Sequence, residues 1–389
     1  MTDNSNIILF LASWFPNRTA PNHGQFIEKH LRITGSVHRT VLLHVCIDPT
    51  LKQKKEIILT EQDAISRCLI YLGPSKFNIP ILSSLHKWIR YANAYRTGFR
   101  LICRKYGRPK GVHIHVLDPV GIFAYILKLR HKIPYLITEH WSGFYNSTEK
   151  NFILPQFLVK HIIRNASFVC PVSEDLKGAM ISKGLNGNYT VVPNSIDPAV
   201  FRLQAKIKTK IKQIIHVSNL NDHSKNFSGI LDAFRIVSGQ CPDFVLNVYH
   251  DCDADPWIQK AKTYGLLDKH VIFHGTRNEQ GIADAFGRSD FSVMFSNYET
   301  FCIVLAESLS CGVPVITTDV PGVARMIDDK LGIRIPVGDT DALVKAILFM
   351  LDHYQEYNKE SMHSFVAERF SNDAVSAKYV SLYKKMLQA

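Results

Sequence analysis

Short apolar runs alternate with amphipathic stretches along almost the whole chain, and this alternation limits the possible folds more than any other feature. Apolar runs of about four to eight residues are typical of buried strands, and the helical periodicity between them indicates βαβ units. Parallel strands connected in this way form sheets that helices cover on both faces. Strands are predicted over 7–12, 40–46, 112–117, 135–138, 167–172 and 190–193, and again over 213–218, 244–249, 271–275, 290–296 and 313–318.

Two such series in 389 residues predict an α/β protein with two doubly wound domains, because a single core rarely grows to that size. The break is predicted within 193–213, where prolines, turn residues and lysines interrupt the pattern. The predicted domains are 1–197 and 198–370. Ser371 is a good N-cap residue, and the helical spacing that follows it predicts a closing helix over 371–389.

The charge is distributed unevenly. The formal net charge is +12, and no acidic residue lies between Asp63 and Asp118, where ten basic residues occur. Such an asymmetry indicates an anionic partner. Eight cysteines without a C-x-x-C pair suggest neither a disulfide framework nor a zinc site, and they fit a reducing cytosol. No signal peptide and no run of ~20 apolar residues is evident, so a cytosolic or peripheral membrane protein is expected.

Two glutamates, Glu299 and Glu307, lie in the otherwise apolar segment FSVMFSNYETFCIVLAESLSCGVPVITTD, residues 291–319. A helix is predicted there over about 302–310. Ligands of open parallel sheets bind at the carboxyl ends of strands, where helix amino termini present free N–H groups. The loop 299–303 is therefore a candidate anion site with a carboxylate on either side, a layout that suits a nucleoside-diphosphate sugar. The alternative is that Glu299 is a solvated loop residue and that Glu307 faces water.

Several motifs together resemble those of one known family. The pattern E-x7-E followed by S-x3-G-x-P-V-I-T-T-D resembles the signature of the retaining glycosyltransferases of family 4, whose bacterial members include enzymes of surface-polysaccharide synthesis. The other motifs resemble, in order, that family's first loop, its donor-sugar histidine, its interdomain hinge and the start of its nucleotide domain: SWFPNRTAPNHGQFIEKH (13–30), TEHWSGF (138–144), VPNSIDPAVF (192–201) and HVSNLNDHSKNFSGILDAF (216–234).

The resemblance implies the GT-B fold, in which two Rossmann-like domains face each other across a cleft. The first domain would bind the acceptor and the second the nucleotide sugar. The closing helix 371–389 would pack back on the first domain. Closure of the cleft would exclude water from the reaction.

The resemblance also implies three catalytic residues, Glu299, Lys225 and His140. Glu299 would accept hydrogen bonds from hydroxyls of the donor sugar. Lys225 would lie against the diphosphate, where a fixed cation stabilises the charge on the leaving nucleotide. His140 would hydrogen-bond the donor sugar. The alternatives are an ordinary exposed lysine at 225 and a structural histidine at 140.

Further donor-binding residues follow from the same resemblance. Glu307 would hold the ribose, and the backbone N–H groups of Phe301, Cys302 and Ile303 would face the sugar and the diphosphate. Gly24 would let the chain approach the donor closely because it has no Cβ. The alternative for Gly24 is a turn glycine without a further role.

The sequence departs from the family pattern in places. Asn219 stands where the family commonly has an arginine that contacts the diphosphate, and Arg277 or Arg325 would then supply the second cation. Arg325 itself replaces a family glutamate. The segment DCDAD (251–255) contains D-x-D but follows a strand at the nucleotide-recognition position, so we interpret it as a loop. No metal and no other cofactor are expected.

Residues 82–110 are predicted to form a basic amphipathic helix with an apolar stripe that includes Leu82, Leu85, Trp88 or Ile89, Ala92, Phe99 and Ile102. One interpretation is a packed helix with a solvated basic face. The other is a surface that lies against anionic lipid. Both can hold if the stripe faces inward and the cations face the headgroups.

These observations favour a retaining, metal-independent glycosyltransferase. It would transfer a hexose or an N-acetylhexosamine from a nucleotide-diphosphate sugar to a saccharide acceptor, expected to be lipid-linked, in surface-polysaccharide synthesis. The alternative is a non-catalytic sugar-nucleotide-binding protein on the same fold. A sugar-nucleotide epimerase fits the motifs less well. A nucleic-acid partner is not expected, because the usual motifs are missing.

Overall fold

The chain divides into two compact units. A computed structural model describes residues 3–62, 65–74, 80–145, 152–205 and 209–388. Unit 1 comprises Met1–Asn194 with Val375–Ala389, and unit 2 comprises Ser195–Ala374. The boundary after Asn194 lies close to the one predicted at 197. The chain returns to unit 1 at Val375, within the closing helix predicted over 371–389.

Unit 1 contains a sheet of the order β3-β4-β2-β1-β5-β6-β7, which is parallel except for the β3–β4 pair. Strands such as Tyr135–Glu139 are buried at every position because helices cover both faces of the sheet. The strands are β1 Asp3–Ala12, β2 His38–Ile47, β3 Lys55–Gln62, β4 Ile65–Leu72, β5 Gly111–His115, β6 Tyr135–Glu139 and β7 Phe168–Pro171. The helices are α1 Gln25–Gly35, α2 Pro80–Tyr106, α3 Gly121–His131, α4 Gln156–Arg164 and α5 Glu174–Ser182.

Unit 2 contains a parallel sheet of the order β10-β9-β8-β11-β12-β13. Its core consists mainly of aliphatic and phenylalanine side chains between this sheet and its helices. The strands are β8 Lys212–Val217, β9 Phe244–Tyr249, β10 Val271–Phe273, β11 Phe291–Met294, β12 Val315–Thr318 and β13 Gly332–Ile335. The helices are α6 Asp222–Lys225, α7 Phe227–Ser238, α8 Asp255–Thr263, α9 Glu279–Arg288, α10 Ile303–Ser310, α11 Thr340–His353 and α12 Lys359–Phe370.

The last helix, α13 Asn372–Gln388, begins in unit 2 and completes the core of unit 1. Ser371 caps it as predicted, since its Oγ accepts a hydrogen bond from the Ala374 N–H at 3.2 Å. Tyr379 and Tyr383 are fully buried in the same apolar cluster as Phe10 of β1.

The predicted α/β fold with two Rossmann-like parallel sheets is confirmed, with local corrections. The prediction of a regular strand over 190–193 is wrong, although the segment runs beside β7: besides the isolated bridge between Tyr189 and Val169, the Thr190 and Val192 N–H groups donate to carbonyls of β7 at 2.9 and 3.1 Å. Strands β3, β4 and β13 were not predicted.

The apolar stripe predicted for α2 is also partly wrong. Ile89 and Ala92 are exposed, whereas Tyr95, Phe99 and Ile102 are buried. Gly98 lets this face of the helix pack closely on the sheet, because a Cβ there would lie 3.0 Å from Ile70 Cδ1 and closer still to a Leu43 methyl group. The side chains of Leu82 and Leu85 lie outside the described residues.

Within the part of the chain that the structure describes, no helix has both the length and the apolar character needed to cross a membrane.

Candidate functional site

The order in which the chain adds strands to the sheet of unit 2 reverses between the central strands β8 and β11. This reversal locates a candidate site. After β8 the chain continues to β9 on one side, and after β11 it continues to β12 on the other. Loops that leave neighbouring parallel strands in opposite directions open a crevice at the carboxyl edge of the sheet, where ligands of doubly wound folds bind. The loop after β8 carries Lys225, and the loop after β11 carries Glu299.

Two asparagine caps fix the position of Lys225. It is the last residue of α6, whose N-cap Asn221 accepts a hydrogen bond from the Ser224 N–H at 3.1 Å. The next residue, Asn226, has a left-handed backbone with φ 48° and caps α7 through the Gly229 N–H at 3.3 Å. Asparagine tolerates both roles better than most residues. The turn between the two helices therefore holds the lysine in a defined place.

The loop that carries Glu299 is bound to the structure on both sides. The Asn297 N–H donates to the Ser224 carbonyl at 2.8 Å, which joins this loop to α6. On the other side the Thr318 hydroxyl, at the end of β12, donates to the Ser296 carbonyl at 2.6 Å. These bonds connect the ends of three neighbouring strands.

Lys225 and Glu299 form an ion pair at the centre of this arrangement. Lys225 Nζ lies 2.5 Å from Glu299 Oε1, and the Ser296 hydroxyl donates to the same oxygen at 2.8 Å. The two side chains are 20% and 10% exposed. Burial would lower the pKa of Lys225, but the adjacent carboxylate outweighs it, and the pKa is raised. A charged pair that remains partly open to solvent can exchange one partner for a ligand.

The helix α10 begins beside this pair. Its N-cap, Cys302, has φ 53°, and the first N–H groups of any helix lack partners within the helix. Glu307, in the second turn, is buried at 8% exposure, and Glu299 is buried at 9%. The interpretation of both glutamates as solvated is therefore wrong. Burial, with Glu299 nearby, raises the pKa of the Cys302 thiol well above its usual value, so this cysteine is a poor nucleophile.

Phe301 and Gly322 hold the loop between Glu299 and α10. The Phe301 ring packs edge-on against Phe370, with the centroids 5.3 Å apart, so its side chain is an anchor and only its backbone remains for a ligand. Gly322 has φ 83°, and a Cβ there would lie 2.7 Å from the Glu299 carbonyl oxygen. Sequence reasoning missed Gly322, although the glycine of PGVAR after β12 was a usable signal.

The predicted substitutes for the missing arginine lie at the surface. Asn219 is exposed just after β8, and its Oδ1 accepts the Asn221 N–H at 3.2 Å. Arg277 is exposed after β10 and donates to the Thr276 carbonyl at 2.9 Å. Arg325, in the loop after β12, is exposed as well.

Gly24 and His140 belong to unit 1, so they are described apart from the residues above. Gly24 is the N-cap of α1 with φ 77°, and a Cβ there would lie 3.1 Å from the Trp14 carbonyl carbon. The fold itself therefore requires glycine at this position. His140 follows β6 and is buried, with Nε2 3.5 Å from His115 Nδ1 and its ring 4.4 Å from that of Phe26. Burial lowers the pKa of His140 well below its usual value, so the ring is neutral.

Comparisons with known proteins match this architecture. The family model described as Glycosyltransferase Family 4 matches residues 62–200, and the model described as Glycosyl transferases group 1 matches residues 200–364. N-acetyl-alpha-D-glucosaminyl L-malate synthase of Bacillus anthracis is 25% identical over 71% of this chain and 75% of its own length. An uncharacterized 41.2 kDa protein in the cps region of Klebsiella pneumoniae is 25% identical over 85% of this chain and 89% of its own.

Solved structures agree on the fold. HepE of Anabaena, crystallised in complex with UDP, has a TM-score of 0.73 and 17% identity over 97% of this chain and 99% of its own. Two Rossmann-like units with this strand order define the GT-B class of glycosyltransferases. Since the two family models together match residues 62–364, the chain belongs to glycosyltransferase family 4.

Proposed function

We propose that this protein transfers a hexose or an N-acetylhexosamine from a nucleotide-diphosphate sugar to a saccharide acceptor, with retention of configuration at the transferred carbon. The Lys225–Glu299 pair beside the amino terminus of α10 is the observation that carries the proposal. A cation and free N–H groups suit a diphosphate, and a neighbouring carboxylate suits sugar hydroxyls. The UDP complex of the structurally similar HepE supports a nucleotide donor.

The proposed roles follow from the contacts. The diphosphate would accept hydrogen bonds from Lys225 Nζ and from the first N–H groups of α10. Lys225 would then share its charge between the phosphates and Glu299, whose carboxylate remains available to sugar hydroxyls. Glu307, further along the helix, would hold the ribose. The leaving diphosphate would itself take the acceptor proton, and Lys225 would stabilise the developing negative charge without a metal ion.

We also propose that the acceptor is lipid-linked and that unit 1 binds its apolar part. A pocket of about 280 Å³ in this unit has mostly apolar walls. Its lining includes the basic residues Lys87 and Arg90 together with aromatic rings, a combination that suits an alkyl or isoprenoid chain with a phosphate headgroup. Lys87 would contact the phosphate, because Arg90 Nη2 already donates to the carbonyls of Lys54 and Gly73, at 3.1 and 2.6 Å. The remaining lining residues are Ile47, Leu72, Trp88, Tyr91, Pro119 and Ile153. The relative in the cps region of Klebsiella pneumoniae supports a role in surface-polysaccharide synthesis. We propose that the protein acts at the cytosolic face of a membrane.

Transfer assays with a panel of UDP and GDP sugars test the donor site. We expect Lys225→Ala and Glu299→Ala each to lower turnover by about 10²–10³-fold, because each removes a group that stabilises the leaving diphosphate or orients the sugar. Lys260→Ala is the matched control, since Lys260 forms a 3.0 Å ion pair with Asp232 elsewhere in unit 2. It should retain wild-type turnover.

Two results would contradict the proposal. Wild-type rates from both site variants would show that the pair is not the donor site. Tight donor binding by the wild-type protein without transfer or donor hydrolysis would instead identify a non-catalytic binding protein.

A further inference from the structure

Three buried histidines from three separate elements meet in the core of unit 1. His30 lies on α1, His115 is the last residue of β5, and His140 follows β6. All three are at most 5% exposed. One ring nitrogen from each lies within 4.8 Å of those from the other two. Residues so far apart in sequence are brought together only by the fold.

Each of these rings has a nitrogen without a hydrogen-bond partner among the described residues. The nitrogens are His30 Nε2, His115 Nε2 and His140 Nδ1. The other nitrogens of the last two rings, His115 Nδ1 and His140 Nε2, face each other at 3.5 Å, so the unpartnered atom that an ion between the rings would explain is His30 Nε2. A buried polar atom normally has a partner, and an exception needs an explanation such as an ion or an ordered water. The neighbouring His113 shows the usual situation, because its Nδ1 bonds the Tyr383 hydroxyl at 2.6 Å and its Nε2 the Thr138 hydroxyl at 2.7 Å.

We propose that His30, His115 and His140 bind one divalent transition-metal ion of the Zn²⁺ type. Neutral imidazole is the preferred nitrogen ligand of such ions, and three protein ligands with one open position for water form a common tetrahedral site. With Zn–N bonds of about 2.0–2.1 Å, tetrahedral nitrogens lie about 3.4 Å apart. His115 Nδ1 and His140 Nε2 already lie 3.5 Å apart, close to that spacing, and one ring nitrogen of His30 lies within 4.8 Å of one from each of the other two rings.

A hydrogen-bonded chain already orients one of the rings. The Tyr379 hydroxyl lies 3.4 Å from His30 Nδ1 and 3.0 Å from the Thr138 hydroxyl, which in turn bonds His113. A ligand histidine whose other nitrogen is hydrogen-bonded is held in one tautomer and one direction. In His30 this leaves Nε2 for the metal.

The nearest acid in sequence is not a ligand in this arrangement. The Glu139 carboxylate accepts hydrogen bonds from the backbone N–H groups of Leu117, His140 and Trp141, at 2.9–3.1 Å. It remains a buried negative charge next to His140 when ionised, and such a charge would partly offset that of a bound cation.

The ion would join α1, β5 and β6 and would stabilise unit 1. It would also fix the position of His140. The proposal rests on residues of unit 1 and uses neither Lys225 nor Glu299, so a failure to bind zinc and a failure to transfer sugar are distinguishable results.

Metal titration of the full-length protein tests the proposal. The protein is stripped with a chelator and titrated with ZnCl₂, and bound zinc is measured by mass spectrometry after dialysis, together with the melting temperature. We expect about one tightly bound zinc ion per chain and a higher melting temperature with the metal. Cobalt in its place should give the intense visible absorption of a tetrahedral site.

Two variants and a matched control make the test specific. His30→Gln and His115→Gln should each weaken zinc binding by about 100-fold or more and abolish the thermal shift, because each removes a ligand. His44→Gln should bind zinc as the wild type does. His44 is also buried, on β2, and its Nε2 also lacks a partner among the described residues, but it is outside the trio.

If either His30→Gln or His115→Gln fails to fold, the other variant still tests the proposal. Wild-type protein without tightly bound zinc, and with the same melting temperature in zinc and in chelator, would overturn the proposal. That result would indicate that water occupies the site. Equal loss of zinc from His44→Gln and from the ligand variants would also overturn it.

Discussion

At the scale of single residues, Gly322 positions Glu299 by having no side chain. We expect Gly322→Ala to weaken donor binding strongly, because the new Cβ would lie 2.7 Å from the Glu299 carbonyl oxygen and closer still to that of Thr300, and would shift the loop. Isothermal titration with the nucleotide donor measures the affinity, and urea unfolding measures the stability.

Gly338 provides the control for backbone strain alone. It has a similar left-handed φ of 73°, but a Cβ there would meet nothing within 4 Å. Gly338→Ala should cost roughly 1–2 kcal/mol of unfolding free energy and leave donor affinity unchanged. Equal affinity losses in both variants would contradict the role assigned to Gly322.

The buried His216 predicts a pH dependence of stability. Its Nδ1 bonds the Val293 carbonyl at 2.8 Å and its Nε2 the Ser218 hydroxyl at 2.7 Å, and burial lowers its pKa to about 4. The pKa of an unfolded histidine is about 6.5. As the pH falls, the unfolded chain therefore takes up this proton first. The stability that neutral His216 contributes is complete above about pH 6.5 and is lost as the pH falls toward about 4.

Comparison with His216→Gln isolates this residue from the other histidines. We expect the advantage of the wild type in unfolding free energy to shrink as the pH falls, by about 1 kcal/mol between pH 6.5 and 5.5 and by less between pH 7.5 and 6.5. Urea unfolding at pH 7.5, 6.5 and 5.5 measures it. A difference that stays constant across these pH values would show that folding does not lower the pKa of His216.

Some residues of the candidate site could be predicted from the sequence. The spacing of Glu299 and Glu307 around an apolar helix indicated an anion site, because helical geometry fixes what lies near a helix end. The contact between Lys225 and Glu299 joins residues 74 positions apart, so spacing alone could not reveal it; a resemblance to known motifs suggested it instead. His30 was not predicted as a functional residue, because only the fold brings it to His115.

At the scale of elements, strands with long apolar runs were predictable and short or mixed ones were not. Strand β9 was predicted at its observed bounds, Phe244–Tyr249. Strand β13 is only four residues long and includes an arginine, so its sequence does not distinguish it from a loop. Strand β3 has only three consecutive apolar residues, with charged residues on both sides, and lies at the edge of its sheet. It pairs antiparallel with β4, which departs from the βαβ pattern.

Helix α2 separates its apolar and basic residues in a way that predicts membrane binding. Tyr95 and Phe99 are buried, whereas Arg96, Arg100 and Arg104 are exposed at intervals of four residues, along one face. Each basic group near an anionic bilayer contributes about 1 kcal/mol. We expect replacement of the three arginines by glutamate to weaken binding to phosphatidylserine vesicles by about 100-fold or more at low salt. Vesicle sedimentation measures the binding.

Three exposed lysines of unit 2 provide a control of equal charge. Replacement of Lys269, Lys330 and Lys359 by glutamate changes the net charge by the same amount and leaves α2 unaltered. This variant should bind vesicles almost as the wild type does. Equal losses in the two variants would indicate attraction by net charge alone, and no binding by the wild type would exclude the membrane contact.

At the scale of the whole molecule, unit 1 depends on a helix from the far end of the sequence. Tyr383 of α13 is fully buried and bonds His113. We expect Tyr383→Ala to destabilise unit 1 by about 3–5 kcal/mol, since it leaves a large cavity in the core. Hydrogen exchange should then rise within 1–194 and much less within 195–374.

Tyr383→Phe separates packing from hydrogen bonding. It keeps the ring and loses only the hydroxyl, so the expected cost is about 1–3 kcal/mol. If Tyr383→Ala increased exchange equally in both units, the two would unfold as one, and the division of the core would be wrong.

Helix α13 also has a consequence for the order of events during synthesis. The ribosome makes residues 1–194 first, but the apolar surface that Tyr379, Tyr383 and Met386 cover stays open until α13 has emerged. Unit 2 needs nothing made after Ala374 to complete its own core. The nascent chain should therefore finish folding in the reverse of the order in which it is made, and its first half should need chaperone protection the longest.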